Sequence, residues 1–455
     1  VTADPERTRG GARDILRLAV PALPVLAAEP LYLLVDTAVV GRLGALPLAS
    51  LAVAAVLFAQ VTTQLTFLSY GTTARAARFY GAGRRAAAVT EGVQATWLAV
   101  VVGLLVIVVG QLLAVPVAGA LAGGADIADG AVAWLRIALL GAPLVLVTLA
   151  GNGWMRGVQD TKRPMYYVLA GNGLSALLCP FLVHGVGGWD GWGLEGSAVA
   201  NVVAQAVAAA LFLRALAVER RRAPASDPVR LRPDTEVLRA QVTMGRDLVI
   251  RSLGFQACFL SATAVAARFG AESVAAHQIV LQLWVFQSLV LDAVAIAAQA
   301  LVGSALGAAA RSADTGHARS VAARVTRYGL LLGCLFGVVF AALYPVLPGV
   351  FTADAGVLAT IPAAWWFFTA LQPVAGVVFA LDGVLLGAGD AAFLRTTTLL
   401  AALGGFLPLI WLSLVFGWGL AGIWTGLAAF MVVRLVAVGG RARSGHWAVP
   451  GEVRA

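Results

Sequence analysis

Long apolar stretches, separated by short polar and arginine-rich ones, run the whole length of this chain. Runs of roughly 20 residues or more, enough to cross a ~30 Å hydrocarbon core as helix, fall at 14–40, 46–74, 92–120, 131–155, 165–187, 196–218, 242–267, 273–306, 326–349, 357–387, 396–416 and 419–438. None alternates with the two-residue period that a membrane β-barrel requires. The pattern predicts an all-α integral membrane protein with twelve transmembrane helices.

The pattern also repeats. A shift of 226 lays Thr37, Ala38, Val39, Arg42 and Gly44 onto Thr263, Ala264, Val265, Arg268 and Gly270. A shift of 230 lays Pro143, Ala150, Gly153, Gly157 and Asp160 onto Pro373, Ala380, Gly383, Gly387 and Asp390. Six spans per half is an even number, so both halves enter the membrane in the same orientation. The expectation is two parallel six-helix lobes, related by a pseudo-two-fold along the membrane normal, with a substrate site where they meet near the midplane. Residues 1–218 form the N-lobe and 241–455 the C-lobe. The polar, proline-rich stretch 219–240 reads as a cytoplasmic linker.

Composition agrees with the pattern: 60% of the 455 residues are hydrophobic and 12% charged. A net charge of +9 would suggest nucleic acid in a soluble protein, but its placement gives another reason. Of the 32 basic residues, all but Arg42, Arg136 and Arg268 fall on one side of the spans. They include Arg7, Arg9, Arg13 and Arg17, a cluster from Arg214 to Arg251, and the tail from Arg434 to Arg454. By the positive-inside rule that side is cytoplasmic and holds both termini. The opening residues lack the apolar core and cleavage site of a signal peptide, so the first span is retained. The arginine-, alanine- and glycine-rich usage suggests a bacterial plasma (inner) membrane. Cys179, Cys258 and Cys334 lie inside apolar spans and read as small core residues.

An ionisable side chain inside a span costs about 2.5–3.5 kcal/mol on insertion scales, so it persists where it is used or paired. The candidates are Glu29, Asp36, Asp292 and Asp382, with Glu91 near a helix end. Asp36 lies deep in the first span, its repeat equivalent is Ala262, and Glu29 stands seven residues earlier on the same helical face. A carboxyl that faces each compartment in turn can load a proton on one side and release it on the other. Pro21, Pro24 and Pro30 favour bending of this helix. Polar partners in the same half are Asn152, Asn172, Ser175 and Asn201; the comparable C-lobe groups are Gln256, Gln278, Gln282, Gln299, Asp292 and Asp382. Single intramembrane amides commonly bridge helices, and His277 reads as packing. No phosphate loop, metal cluster or nucleophile with an orienting base is present in the sequence, which argues against an enzyme, a metal site or a cofactor.

Several motifs together resemble a known family. Pro30-Leu-Tyr-Leu-Leu-Val-Asp36-Thr-Ala-Val-Val-Gly41-Arg-Leu-Gly44, Arg156-Gly-Val-Gln-Asp160-Thr-Lys-Arg-Pro164, Ala275-Ala-His277-Gln278-Ile and Ala380-Leu-Asp382-Gly-Val-Leu-Leu-Gly-Ala-Gly-Asp390 are similar to the multidrug and toxic compound extrusion (MATE) transporters. Val249-Ile-Arg251-Ser-Leu resembles the DNA-damage-inducible F (DinF) branch. The resemblance implies twelve helices in two lobes and export of organic, often cationic or lipophilic compounds driven by inward H⁺ or Na⁺. It also implies that Asp36 is the main coupling site. Where many members carry Asn and Asp on helix 5, Ser175 and Cys179 stand here, which leans toward H⁺. Asn201 falls where relatives often have Thr. The helix 7 glutamate and helix 10 aspartate of some members fall at Gln256 and Asp382.

The reading is therefore a monomeric antiporter exporting amphipathic cationic compounds, coupled to inward H⁺ rather than Na⁺, with Met155, Met165, Tyr166, Trp284 and Phe286 as candidates for the cavity lining. The alternatives are a flippase for lipid-linked intermediates, which would need a basic cavity, and a channel or non-transporting scaffold, which would show no proton counterflow.

Overall fold

The computed structural model describes residues 11–224 and 227–452; Arg7, Arg9 and Arg454 lie outside the described residues. It is all helical. In the first half, α1 (Ala12–Val40) runs into a 3₁₀ turn at Gly41–Leu43. It is followed by α2 (Ala45–Leu65), α3 (Phe67–Gly81), α4 (Arg85–Leu121), α5 (Ala125–Leu140), α6 (Ala142–Gly157), α7 (Lys162–His184) and α8 (Gly193–Arg221). The second half holds α9 (Thr235–Arg268), α10 (Ala271–Ala308), α11 (Gly316–Leu343), the short α12 (Leu347–Phe351) and α13 (Ala355–Thr360), and α14 (Pro362–Gly387). It ends with α15 (Ala391–Ala401), α16 (Leu407–Phe416) and α17 (Gly419–Ser444).

Among the described residues eleven helices, some joining two of these elements, are long and apolar enough to span a membrane. A twelfth span forms if α5 and α6, which meet at a 46° bend, count as one. The bend falls at Gly141, where Pro143 cannot supply a backbone donor to continue the ladder. Span 2 likewise breaks at Thr66, whose hydroxyl donates to the Thr63 carbonyl at 2.7 Å. Several helices outrun the apolar stretches that announce them: α9 begins at Thr235 and α11 at Gly316, because amphipathic ends continue as helix beyond the hydrocarbon. The connection between halves runs from the end of α8 at Arg221 to the start of α9 at Thr235. Its backbone is tied to α4, where Gln94 Nε2 donates to the Arg232 carbonyl at 2.9 Å and Gln94 Oε1 accepts from Asp234 N–H at 2.8 Å.

Two compact units emerge. The N-lobe comprises residues 20–80 and 84–245; the C-lobe takes the described residues up to Ala19, Gly81–Gly83 and the chain from Arg246. Each lobe is held by close helix crossings at small residues, and these crossings repeat with the sequence. In the N-lobe a Cβ on Gly153 would strike the Ser69 backbone, on Gly157 the Thr73 carbonyl, and on Gly103 the backbone of Pro143. In the C-lobe the matching Gly383, Gly387 and Gly333 meet Ala295, Gln299 and the Gln372–Pro373 backbone. The shifts of 226 and 230 in sequence are thus the same helix contacts made twice.

Candidate functional site

The polar face of α1 opens into the N-lobe. Glu29, Tyr32 and Asp36 follow helical spacing, so they stack on one side of α1, and all three line a cavity of ≈ 180 Å³. Asn152 on α6, Asn172 on α7 and Asn201 on α8 join them with Thr62, Thr66, Thr148 and Gln205, and no arginine or lysine lines the cavity. Phe58 and Trp134 form an aromatic side, edge to face with centroids 5.8 Å apart. Drug-sized ligands need cavities of about 300–1,000 Å³. This one has room for waters or for one end of such a ligand.

Asp36 is buried. Cys179 Sγ on α7 donates to its Oδ1 at 3.3 Å. The Ser197 hydroxyl on α8 faces the carboxyl and accepts from Trp134 Nε1 at 2.7 Å. Oδ2 closes no full hydrogen bond. One turn away, the Tyr32 hydroxyl points toward Ser175 and Asn201, also without closing a full hydrogen bond. Glu29 lies beside Thr62. Both groups facing Asp36 therefore carry a proton to offer, and none offers a positive charge.

The sequence candidates divide accordingly. Glu29, Asp36, Asn152, Asn172 and Asn201 meet at the cavity, with Ser175 just behind Tyr32. The Asn172 amide is spent inside α7, donating to the Val168 carbonyl at 3.0 Å. The direct neighbours of Asp36 are Cys179 and Ser197 rather than the three asparagines, which corrects the reading of Cys179 as plain core. Pro21, Pro24 and Pro30 all lie within α1. Glu91 is held by Arg75 in a two-bond fork of 2.8 and 2.7 Å and by Gln241 at 3.0 Å, away from the cavity. None of Met155, Met165, Tyr166, Trp284 and Phe286 lines this cavity. Met155 is core beside Trp154 and Phe212, and Tyr166 and Phe286 are exposed.

In the C-lobe the arrangement is a closed ion cluster. Arg251 Nη2 and Arg434 Nη2 both donate to Asp382 Oδ2, and Arg434 is 2% exposed. Two arginines on one aspartate leave an excess positive charge. The rings of Phe255 and Phe430 lie under the Arg434 guanidinium, with centroids at 4.9 and 5.6 Å, and Phe255 also lies under Arg251 at 5.4 Å. Their π faces offset part of that charge. Arg251 and Arg434 are thus not cytoplasmic loop charges, as their positions near span ends suggest, but partners of Asp382 inside the bundle. Gln278 and Gln282 are exposed on α10, and Gln256 and Asp292 are half-buried. His277 is buried edge-on to Trp424, with centroids 6.0 Å apart.

The repeat relates the two interiors. The shift of 226 carries Val25 and Ala208, which line the N-lobe cavity, onto Arg251 and Arg434, and the shift of 230 carries Asn152 onto Asp382. Glu29, Tyr32 and Asp36 become Phe255, Cys258 and Ala262, and Ser197 and Asn201 become Ile423 and Leu427. The positions that leave space in one lobe hold the ion cluster in the other.

Trp134 and Ser197 escape the sequence reading because they are neither charged nor amides; Cys179 stands at the helix 5 position that the family resemblance marks. A tryptophan at the start of a glycine-bounded, bent span is the one signal that was there to find.

Comparison with known proteins agrees with this geometry. Residues 21–181 and 248–412 match the family model MatE. The chain is 32% identical to Protein DETOXIFICATION 44, chloroplastic, of Arabidopsis thaliana over 95% of its own length and 83% of that protein. It is 29% identical to DNA damage-inducible protein F of Escherichia coli (strain K12), over 96% and 92% of the two chains. In fold it is similar to a crystal structure of MATE in the bent conformation, with a TM-score of 0.87 at 19% identity over 98% of both chains.

Proposed function

The chain belongs to the MatE family, whose members are membrane transporters rather than enzymes, and on that footing we propose that it exports amphipathic, cationic organic compounds in exchange for protons carried by Asp36. Two relatives are named as probable multidrug resistance proteins, from Thermotoga maritima and Deinococcus radiodurans. The observation that carries the reading is the setting of Asp36: buried, lining a cavity without a basic residue, and faced by hydrogen donors. A sodium site needs several oxygens turned toward the ion. Here a thiol donates to the carboxylate and a hydroxyl stands before it, an arrangement that suits a group alternating between COO⁻ and COOH. Two carboxyls and an aromatic side in one cavity favour a cationic, partly apolar ligand end.

In this cycle a substrate in the N-lobe cavity meets a charged Asp36. Exposure to the proton-rich side neutralises the carboxyl, weakens its hold on the cation and releases it. Return to the other side frees the proton. The transporter sits in a bacterial plasma membrane with both termini cytoplasmic. A substrate panel assayed in proteoliposomes under separate H⁺ and Na⁺ gradients tests this. Export driven by H⁺ alone is expected; export driven by Na⁺ alone would overturn it.

A further inference from the structure

Trp134 takes part in two structures at once. Its indole ring is cavity wall, edge-on to Phe58, and its Nε1–H donates to Ser197 Oγ at 2.7 Å. Ser197 is fully buried and faces Asp36. A hydroxyl whose oxygen accepts an N–H keeps its own proton to donate, and the Asp36 carboxyl, whose Oδ2 closes no full hydrogen bond, lies before it. The contact joins α5, α8 and α1, and reaches from the place a ligand would touch to the group that would carry the proton.

We propose that Trp134 and Ser197 are positioning residues, a relay through which an organic cation in the N-lobe cavity alters how readily Asp36 holds its proton. The proposal rests on Asp36 being the coupling carboxyl. A ligand packed on the indole holds its N–H on Ser197, which turns the hydroxyl proton onto the open Oδ2 of Asp36 and favours the charged carboxylate. Ligand binding therefore releases a proton, and by reciprocity protonation weakens ligand binding. That is the sign an antiporter needs. The titratable groups facing Asp36 are Tyr32 on its own helix and Cys179 on α7. Glu29 shares the cavity, and no lysine or arginine lines it.

The test measures proton release in weak buffer when tetraphenylphosphonium is added to the purified full-length protein, together with the pH profile of its transport. Wild type, Trp134→Phe, Ser197→Ala, the double variant and Asp36→Asn are compared. Trp134→Phe keeps a ring and loses the N–H; Ser197→Ala removes only the hydroxyl from a helical position. Each should cut proton release by more than half and move the transport midpoint about half a pH unit or more toward alkaline, the effect of losing one hydrogen bond to a carboxylate. The double variant should be no worse than either single one. Unchanged release and midpoint in both single variants, with release abolished in Asp36→Asn, overturns the relay and leaves Asp36 as the coupling site. Release that persists in Asp36→Asn, or is missing from wild type, overturns both.

Discussion

Where Glu29, Tyr32 and Asp36 line an open cavity in the N-lobe, the matching positions of the C-lobe hold Phe255, Cys258 and Ala262. Where Val25, Ala208 and Asn152 leave that cavity its space, the C-lobe places Arg251, Arg434 and Asp382 in contact. The helix crossings around these sites are alike, glycine against backbone at corresponding positions. The difference is one of charge and volume inside a common frame. Asp36 has a thiol donor and a neighbouring void, and no cation beside it. A carboxyl that two guanidiniums share is part of an ion cluster, and deleting it would leave both cations without that partner in a low-dielectric interior. One duplicated scaffold thus provides a cavity-lining acid in one half and an ion-paired one in the other.

The comparison breaks most visibly at Asp382. Removing one member of a buried ion cluster destabilises by about 3–5 kcal/mol, so Asp382→Ala should sharply lower the thermal unfolding temperature in detergent. Asp36→Asn should leave that temperature within a degree or two of wild type. An Asp382→Ala protein as stable as wild type would mean that the arginines have other partners.

The shared frame predicts an intermediate effect, equal in both halves. Gly153→Val and Gly383→Val each force a side chain into a facing backbone, and overpacking of this kind costs about 1–3 kcal/mol. Thermal shifts that differ severalfold between the two would show that the crossings only look alike.

The smallest effect belongs to Glu29. It shares the cavity with Asp36 but has no part in the Trp134–Ser197 contact. Glu29→Gln should weaken binding of a cationic substrate about tenfold, ~1.4 kcal/mol, while leaving the pH midpoint of transport in place. A shifted midpoint would make the two carboxyls a coupled pair.

Much of this contrast was written in the sequence. Hydropathy gives the spans, because each must satisfy its backbone as helix and cover lipid with apolar side chains. The repeat gives the crossings, and the isolated charge of Asp36 in an apolar run marks the acid. Arg251 and Arg434 were misread because arginine near a span end is ordinarily a loop or interfacial charge. Only the approach of α9, α14 and α17 within the C-lobe turns them inward onto Asp382. The contact of Cys179 with Asp36, 143 residues away in the chain, and the part of Ser197 were missed for the reason that tertiary sites generally are: the chain order does not show which distant residues meet. The breaks at Thr66 and Gly141 are local turns inside continuous apolar runs, invisible to a window that averages over them.

The central claim is that Asp36 carries the proton. Export of a transported cation from proteoliposomes, driven by an imposed pH gradient and followed across external pH for wild type and Asp36→Asn, tests it most directly. An amide keeps the size and hydrogen-bonding shape of the carboxyl but cannot exchange a proton. Asp36→Asn should therefore insert at normal levels, bind substrate with a flattened pH dependence, and show no gradient-driven export. Export at the wild-type rate with an unchanged pH profile would contradict the account and make Asp36 a structural residue.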